Sequence, residues 1–209
     1  ARAARLLREQ GAAAREVMAP RTITSVTGDP GLALADLAGG AAATALILRA
    51  WLREQGLSMP PEARLREFLR QLREGEGASL AWSAQRLTRF GDAVFLHPAT
   101  GPPPVFERPI GVGERVQIDG MGTVALCAVQ GARGDAAPRA QREVARGSLF
   151  LRSRGGGERM RTDAGSRKLK KLLQEARVPP WWRDRLPLLF ERRAGETKLI
   201  AAGPFLAAP

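Results

Sequence analysis

Apolar residues recur along the first third of the chain at helical spacing. Leu65, Phe68, Leu69 and Leu72 fall at i, i+3, i+4 and i+7, with Arg64, Arg66, Arg70 and Arg73 on the remaining faces. That predicts an amphipathic helix, opened by Pro60 and Pro61, where a missing N–H costs nothing. Leu34, Leu37, Ala45, Leu46, Leu48, Ala50, Trp51 and Leu52 place another helical region over Leu32 to Gln55, interrupted at Gly39-Gly40 and capped by Gly56. A weaker helical pattern covers Ala1 to Met18. Thr22 to Val26 is β-branched and reads as extended, and Thr27 to Gly31 reads as a turn. After Gly75-Glu76-Gly77 the period shortens. Ser79–Ser83, Arg86–Phe90 and Ala93–His97 read as short strands, the last two joined at Gly91-Asp92.

Gly101-Pro102-Pro103-Pro104 favours a stiff, extended linker. Beyond it, Arg115–Ile118, Thr123–Val129, Val144–Leu151, Leu188–Glu191, Lys198–Ala202 and Pro204–Leu206 read as strands, with a polar loop over Gly131–Ala140. Between them lies the stretch Arg152 to Pro187, a glycine-rich basic loop followed by one basic helix. Leu169, Leu172, Leu173 and Ala176 form that helix's apolar stripe. Ser166 is its expected cap, and Pro179-Pro180 its expected end. The fold class expected is α+β. A mostly helical domain with a small hairpin covers 1–100, a linker 101–104, and a small antiparallel-sheet domain with one buried basic helix 105–209.

The chain's 209 residues carry a formal net charge of +12, which points to a polyanion, RNA or DNA ahead of a membrane surface. Arginine- and alanine-rich composition is the alternative source of that charge. No apolar run approaches the roughly 20 residues that span a bilayer. The single cysteine, Cys127, sits in an apolar run and excludes an internal disulfide; a buried thiol is expected. One histidine, His97, cannot build a zinc set or a hydrolytic triad, and an ordinary surface or strand-end histidine is expected. Gly155-Gly156-Gly157 lacks the spacing of a nucleotide-binding loop. A phosphate against the helix start at Ser166 is the remaining anion site.

The candidate RNA contacts are Arg152, Arg154, Arg159, Arg161, Arg167, Lys168, Lys170 and Lys171. Guanidinium groups bind phosphates through paired N–H donors, and ammonium groups act as point charges. Trp181 and Trp182 are candidates for stacking on a nucleotide, weighed against packing over the helix. Glu158, the lone acid of the loop, is expected to hold Arg159 or Arg161. Arg183 and Arg185 are expected to pair with Asp184 or Glu175.

Gly157-Glu158-Arg159, Ser166 with Leu169-Lys170-Lys171, and Val178-Pro179-Pro180-Trp181 followed by Arg183, Arg185 and Leu186-Pro187-Leu188 resemble the C-terminal domain of bacterial tRNA(Ile)-lysidine synthetases (TilS). A looser similarity to that family's substrate-binding domain covers the first hundred residues. The resemblance implies a tRNA-recognition region, both units gripping a minor isoleucine tRNA away from its anticodon. It implies a catalytic PP-loop domain, marked by SGGxDS, elsewhere in a longer protein; that motif is absent here. There, ATP with magnesium would activate the wobble cytidine for attack by lysine. This chain itself would bind no cofactor. The resemblance further implies a cytoplasmic setting, the catalytic domain as partner, and a homodimer as one assembly state. A stand-alone RNA-binding module and a protein-interaction domain are the alternative readings.

Overall fold

The computed structural model describes residues 21–75, 77–127 and 148–208. The helix expected over Ala1–Met18, the loop expected over Gly131–Ala140, and the flanking ends of two expected strands lie outside these residues. The protein is a mixed α/β chain built on antiparallel sheets. It divides into two compact units between Thr100 and Gly101.

The first unit is a five-stranded sheet carrying two helices. Its strands are β1 (Thr22–Thr24), β2 (Pro30–Ala33), β3 (Ser79–Trp82), β4 (Gln85–Phe90) and β5 (Ala93–Pro98), in the order β1-β2-β5-β4-β3. The small hairpin expected from sequence is therefore a larger sheet. Leu32, expected at the start of a helix, lies in β2 opposite Val94 of β5. A 3-10 turn over Leu34–Leu37 follows, and the regular helix α1 runs only from Ala41 to Glu54. β1 lies within the extended stretch expected over Thr22–Val26, whereas β2 escapes a sequence reading because it is four residues long and opens on a proline and a glycine.

Helices α1 and α2 (Glu62–Glu74) bury Leu48, Trp51, Leu52, Leu65, Phe68 and Leu69 against Leu32, Leu80, Leu87, Val94 and Leu96 of the sheet. Both buried indoles keep their hydrogen bonds. Trp51 Nε1 donates to Thr22 Oγ1 at 3.0 Å, and Trp82 Nε1 donates to Ser58 O at 2.9 Å. Gly56, with φ +71°, sits just past α1 as expected, and Leu57 N donates back to Leu52 O at 3.0 Å. At the end of α2, Arg89 Nη1 donates to Leu72 O at 3.1 Å and Gly75 O at 2.9 Å, filling carbonyls the helix leaves open. Of the arginines on α2, Arg70 pairs with Glu67 and Glu74, and Arg64 donates to Ala81 O. Arg70 holds Glu67 at a pKa of about 2.

His97 is buried in β5 rather than exposed. Its Nδ1 lies 3.0 Å from Pro98 O and its Nε2 2.9 Å from Thr88 Oγ1. A neutral ring protonated on Nδ1 satisfies both contacts. Burial pushes its pKa below the ordinary value, against the opposing pull of Pro98 O and Asp29.

Gly31 sits opposite Phe95 in the antiparallel pairing of β2 with β5. A Cβ there would lie 2.5 Å from the Phe95 ring and 2.7 Å from Val94 O. Gly31→Ala is therefore expected to destabilise the chain by about 1–3 kcal/mol through overpacking, measured by denaturant unfolding. His97 adds a pH dependence. Its folded pKa is depressed, so protonation favours the unfolded chain, and stability is expected to fall as pH drops below about 6.5. The lone imidazole resonance should stay neutral through that window in an NMR titration.

The second unit has a five-stranded sheet covered on both faces. Its strands are β6 (Glu107–Pro109), β9 (Ser148–Arg152), β12 (Leu188–Arg193), β13 (Glu196–Ala202) and β14 (Leu206–Ala207), in the order β14-β13-β12-β9-β6. The hairpin of β7 (Arg115–Ile118) and β8 (Gly122–Ala125) and that of β10 (Arg159–Thr162) and β11 (Gly165–Lys168) form separate two-stranded sheets packed against it. Alternation along the sheet sends Leu149, Leu151 and Leu189 to one core with Ile110 and Ile118. Phe150, Leu188 and Phe190 go to the other, with Met160, Leu169, Leu172 and Leu173. Cys127, expected to be buried, is exposed.

The basic helix α3 is shorter than its sequence pattern, Leu169 to Glu175. Ser166 is not its cap. It lies in β11, and Lys168 holds the N-cap position with no side-chain hydrogen bond. The double proline does not end α3 either. The helix closes at Ala176, where Arg177 takes φ +53°. Arg177 N then donates to Gln174 O, and Val178 N to Leu173 O, both at 3.0 Å. This paired closure leaves Val178 and Leu173 in one core. Pro179 caps and Pro180 opens the next helix, α4 (Pro180–Arg183). A side chain at a left-handed position costs about 1 kcal/mol, so Arg177→Gly is expected to raise stability by roughly 0.5–1 kcal/mol in thermal unfolding.

Candidate nucleic-acid interface

The β10–β11 hairpin sets the geometry of the cationic surface. Its register places Arg159 opposite Lys168 and Arg161 opposite Ser166, with Met160 opposite Arg167 between them. Residues directly opposite share a face, so Arg159, Arg161 and Lys168 project together while Met160, 1 % exposed, enters the core. The hairpin is thus pinned by its inward methionine and presents three cations outward. Like charges directly opposite repel. Among the described residues no carboxylate forms an ion pair with Arg159, Arg161, Lys168, Lys170 or Lys171. Arg159 is held by a neutral partner instead. Its Nε donates to Ser166 Oγ at 3.1 Å and its Nη2 to Ser166 O at 2.6 Å.

Arg159, Arg167, Lys168 and Lys171 line one open cleft of about 320 Å³. Arg167 reaches Glu175 at 2.5 Å, an exposed pair that raises the arginine's pKa and lowers that of Glu175. Lys170 and Lys171 leave α3 on its exposed side, because Leu169, Leu172 and Leu173 take the buried one. Four of the eight expected contacts therefore meet at one cleft, Arg161 shares the hairpin face, and Lys170 stands beside it.

Arg154 and Arg152 have different surroundings. Arg154, with its side chain only 11 % exposed, lies between Glu158 Oε2 at 3.5 Å and Asp184 Oδ1 at 2.8 Å. Arg152 stacks on the Phe190 ring at 4.1 Å. Phe190 in turn stacks on Phe150, and Arg192 covers Phe150 at 4.8 Å. This ladder of two rings between two guanidinium groups follows from the β9–β12 register, where Phe150 and Phe190 are paired. Arg192 was not anticipated, although its alternation with Phe190 along β12 is a usable signal.

Glu158 does not hold Arg159 or Arg161. Its Oε1 accepts from Gly155 N at 2.7 Å and Gly156 N at 2.8 Å. The glycine-rich loop therefore encloses the protein's own carboxylate. Burial opposes the charge, but backbone N–H groups of residues 158, 155 and 156 and the Arg154 charge outweigh it, so the Glu158 pKa lies below the usual carboxylate range. The expected phosphate site at a Ser166 helix start is absent as well, since the first helical N–H, that of Leu169, donates to Glu158 O at 2.9 Å. Arg183 Nε donates to Val178 O at 2.7 Å, and Arg185 donates to Gly101 O. Glu175 pairs with Arg167, and Asp184 bonds Arg154 while its charge also acts on its neighbour Arg183. Trp181 and Trp182 are half-buried, and Trp182 packs on the leucine core.

No cluster of three or more metal-ligating side chains occurs among the described residues, and no helix there is long and apolar enough to cross a membrane. An antiparallel α/β fold that gathers Arg159, Arg161, Lys168 and Lys171 without an ion pair among the described residues has the charge character that suits a polyanion.

Comparison with known proteins supplies the family. Residues 32–95 match the TilS substrate-binding domain, and residues 149–208 match the TilS substrate C-terminal domain. The chain is 37 % identical over 179 residues to the tRNA(Ile)-lysidine synthase of Alkalilimnicola ehrlichii, covering 82 % of this chain and 39 % of that protein. It is 30 % identical over 222 residues to the enzymes of Salmonella paratyphi B and Salmonella typhimurium, covering 99 % of this chain and 47 % of theirs. The chain belongs to the tRNA(Ile)-lysidine synthase family and spans less than half the length of these curated relatives.

The Glu158 clamp is testable through pH. Its stabilisation is present above the unfolded pKa and is lost as pH falls through the lower folded value. Thermal stability of the wild type is expected to drop between about pH 5 and pH 3. Glu158→Gln, which keeps the shape but not the charge, should cost about 2 kcal/mol at neutral pH and flatten part of that acid dependence.

Proposed function

We propose that this chain is the tRNA-recognition region of a tRNA(Ile)-lysidine synthetase. Its parent enzyme would ligate lysine to the wobble cytidine of a minor isoleucine tRNA. ATP, with magnesium, would be used by an N-terminal PP-loop domain that these residues do not include. The setting would be cytoplasmic, the partners tRNA and that catalytic domain, and the assembly a homodimer. This chain would bind RNA and no cofactor of its own.

The observation that carries the reading is the convergence of Arg159, Arg167, Lys168 and Lys171 on one cleft, with Arg161 on the same hairpin face as Arg159 and Lys168. Double-stranded RNA is recognised mainly through phosphates and 2′-hydroxyls across a shallow groove. A short cationic hairpin beside a basic helix supplies charges for adjacent phosphates without needing to enter a groove. Phosphates between Arg159 and Lys168 would also relieve their mutual repulsion. Lys170 extends this surface. Arg152 and Arg154 stay in the contact set, Arg152 as a stacked guanidinium and Arg154 chiefly as the residue that fixes the loop. Trp181 remains a candidate stacking residue, whereas the contacts of Trp182 serve the leucine core.

Titration of an isoleucine tRNA and an unrelated tRNA across a salt series tests the reading. Each phosphate contact contributes a slope of roughly −0.7 to −0.9 in log affinity against log salt. Changing Arg159, Lys168 and Lys171 together to Ala is expected to flatten the slope by about 2–3 units. Unfolding should change little, because Lys168 and Lys171 are exposed and without ion pairs among the described residues, and Arg159 gives up only exposed hydrogen bonds to Ser166. Preference for the isoleucine tRNA supports the family assignment of substrate. A slope that the triple variant leaves unchanged would move RNA binding off the hairpin.

A further inference from the structure

A second groove lies beside the hairpin, between the edge strand β6 and the glycine-rich loop. It has a volume of about 770 Å³ and is lined by Val105, Phe106, Arg108, Arg152, Ser153 and the loop Gly155–Glu158. That is within the size range of small-ligand sites. Three features say what it could hold.

The first is charge. Of the four ionised side chains that line it, Glu158 is held by loop amides and Arg154, and Glu107 lies 3.4 Å from Arg192. Arg108 and Arg152 remain as the uncompensated pair. Arg152 is half-buried and rigidly stacked on Phe190, yet among the described residues none accepts a hydrogen bond from its guanidinium. A fixed planar donor set without an acceptor is arranged for an external one.

The second is Gly155. Its φ lies outside the left-handed region, and a Cβ there would meet nothing nearer than Glu158 Oε1 at 3.9 Å. Neither strain nor packing calls for glycine at this position, but a ligand pressed against the loop backbone would. The third is continuity. Glu158 ends the groove wall and Arg159 begins the cationic hairpin, so a polyanion on the hairpin leads directly to the groove.

We propose that this groove takes an unpaired nucleotide of an RNA strand whose duplex part lies on the β10–β11 hairpin. Arg152 and Arg108 meet its phosphate, and the bare wall at Gly155 admits its sugar or base. The inference rests on the RNA-binding reading of the hairpin and adds a site for a single strand.

The test uses the full chain and fluorescently labelled RNA stem-loops ending blunt, with a short unpaired 3′ extension, or with a short unpaired 5′ extension. One of the two extensions is expected to tighten binding by about tenfold, the scale of one well-held base. Two variants act in the groove without touching the core. Gly155→Leu fills it, and Val105→Glu places a negative charge at a residue that is 94 % exposed. Each should cut the advantage of the extension to under about twofold, with an unchanged thermal melt showing that the fold is intact. Salt-dependent binding of the blunt stem-loop without an effect of either extension overturns the groove proposal alone. Equal losses for blunt and extended RNA in both variants overturn it too, by showing a general effect on the surface. Absence of salt-dependent binding to the blunt stem-loop removes the reading of the hairpin, and the groove proposal with it.

Discussion

The cationic surface depends on one carboxylate. Glu158 draws the N–H groups of Gly155 and Gly156 onto one oxygen and faces Arg154 with the other, and Arg154 reaches Asp184 at the end of α4. Its main-chain oxygen accepts the first N–H of α3. Loop, hairpin, basic helix and the following turn are thereby fixed around a single residue. A negative group at the centre of a basic region is not a contradiction. It neutralises the nearly buried Arg154 and leaves Arg159, Arg161, Lys168, Lys170 and Lys171 without an ion pair among the described residues. Charged hydrogen bonds to backbone donors are among the stronger ones available to a small domain.

Packing then turns this scaffold into a surface. Met160 and the leucines of α3 enter the same core as Phe150 and Phe190, so strand and helix each have one choice of inward face. The period of two in the hairpin and of 3.6 in the helix carries Arg159, Arg161, Lys168 and Lys171 outward. Arg159 and Lys168 stand opposite one another with no acid between them, a local cost that a phosphate backbone would offset. The relatives are named as tRNA(Ile)-lysidine synthases, and the proposed RNA-binding role rests on this arrangement of cations.

Much of this was legible in the residues. The leucine stripe from Leu169 placed a helix with its lysines outside, and the strands of both sheets were located to within a few residues wherever alternation was clean. What could not be read has identifiable causes. Strands β10 and β11 hold one apolar residue between them, Met160, so no alternation announced a hairpin. Ser166 looked like a cap because it precedes the leucines, but the sheet claimed it and Arg159 took its oxygen atoms. Pro179-Pro180 looked like a helix stop, whereas the left-handed Arg177 had already closed α3. In the first unit, Leu32 followed the helical pattern yet pairs with β5, because contact with distant strands outweighed local period. Arg154 resembled its exposed neighbours in sequence, and only the fold brings Asp184 to it.

Lysine footprinting tests the central claim directly, because the chain has only four lysines, Lys168, Lys170, Lys171 and Lys198. Lys198 lies on β13 paired with Glu196 at 3.0 Å, does not line the cleft, and serves as the internal control. Acetylation read by mass spectrometry, with and without isoleucine tRNA, should show Lys168 and Lys171 protected several-fold and Lys198 unchanged. Uniform protection, or protection of Lys198 alone, would contradict the assignment of the hairpin and its cleft as the RNA-binding surface.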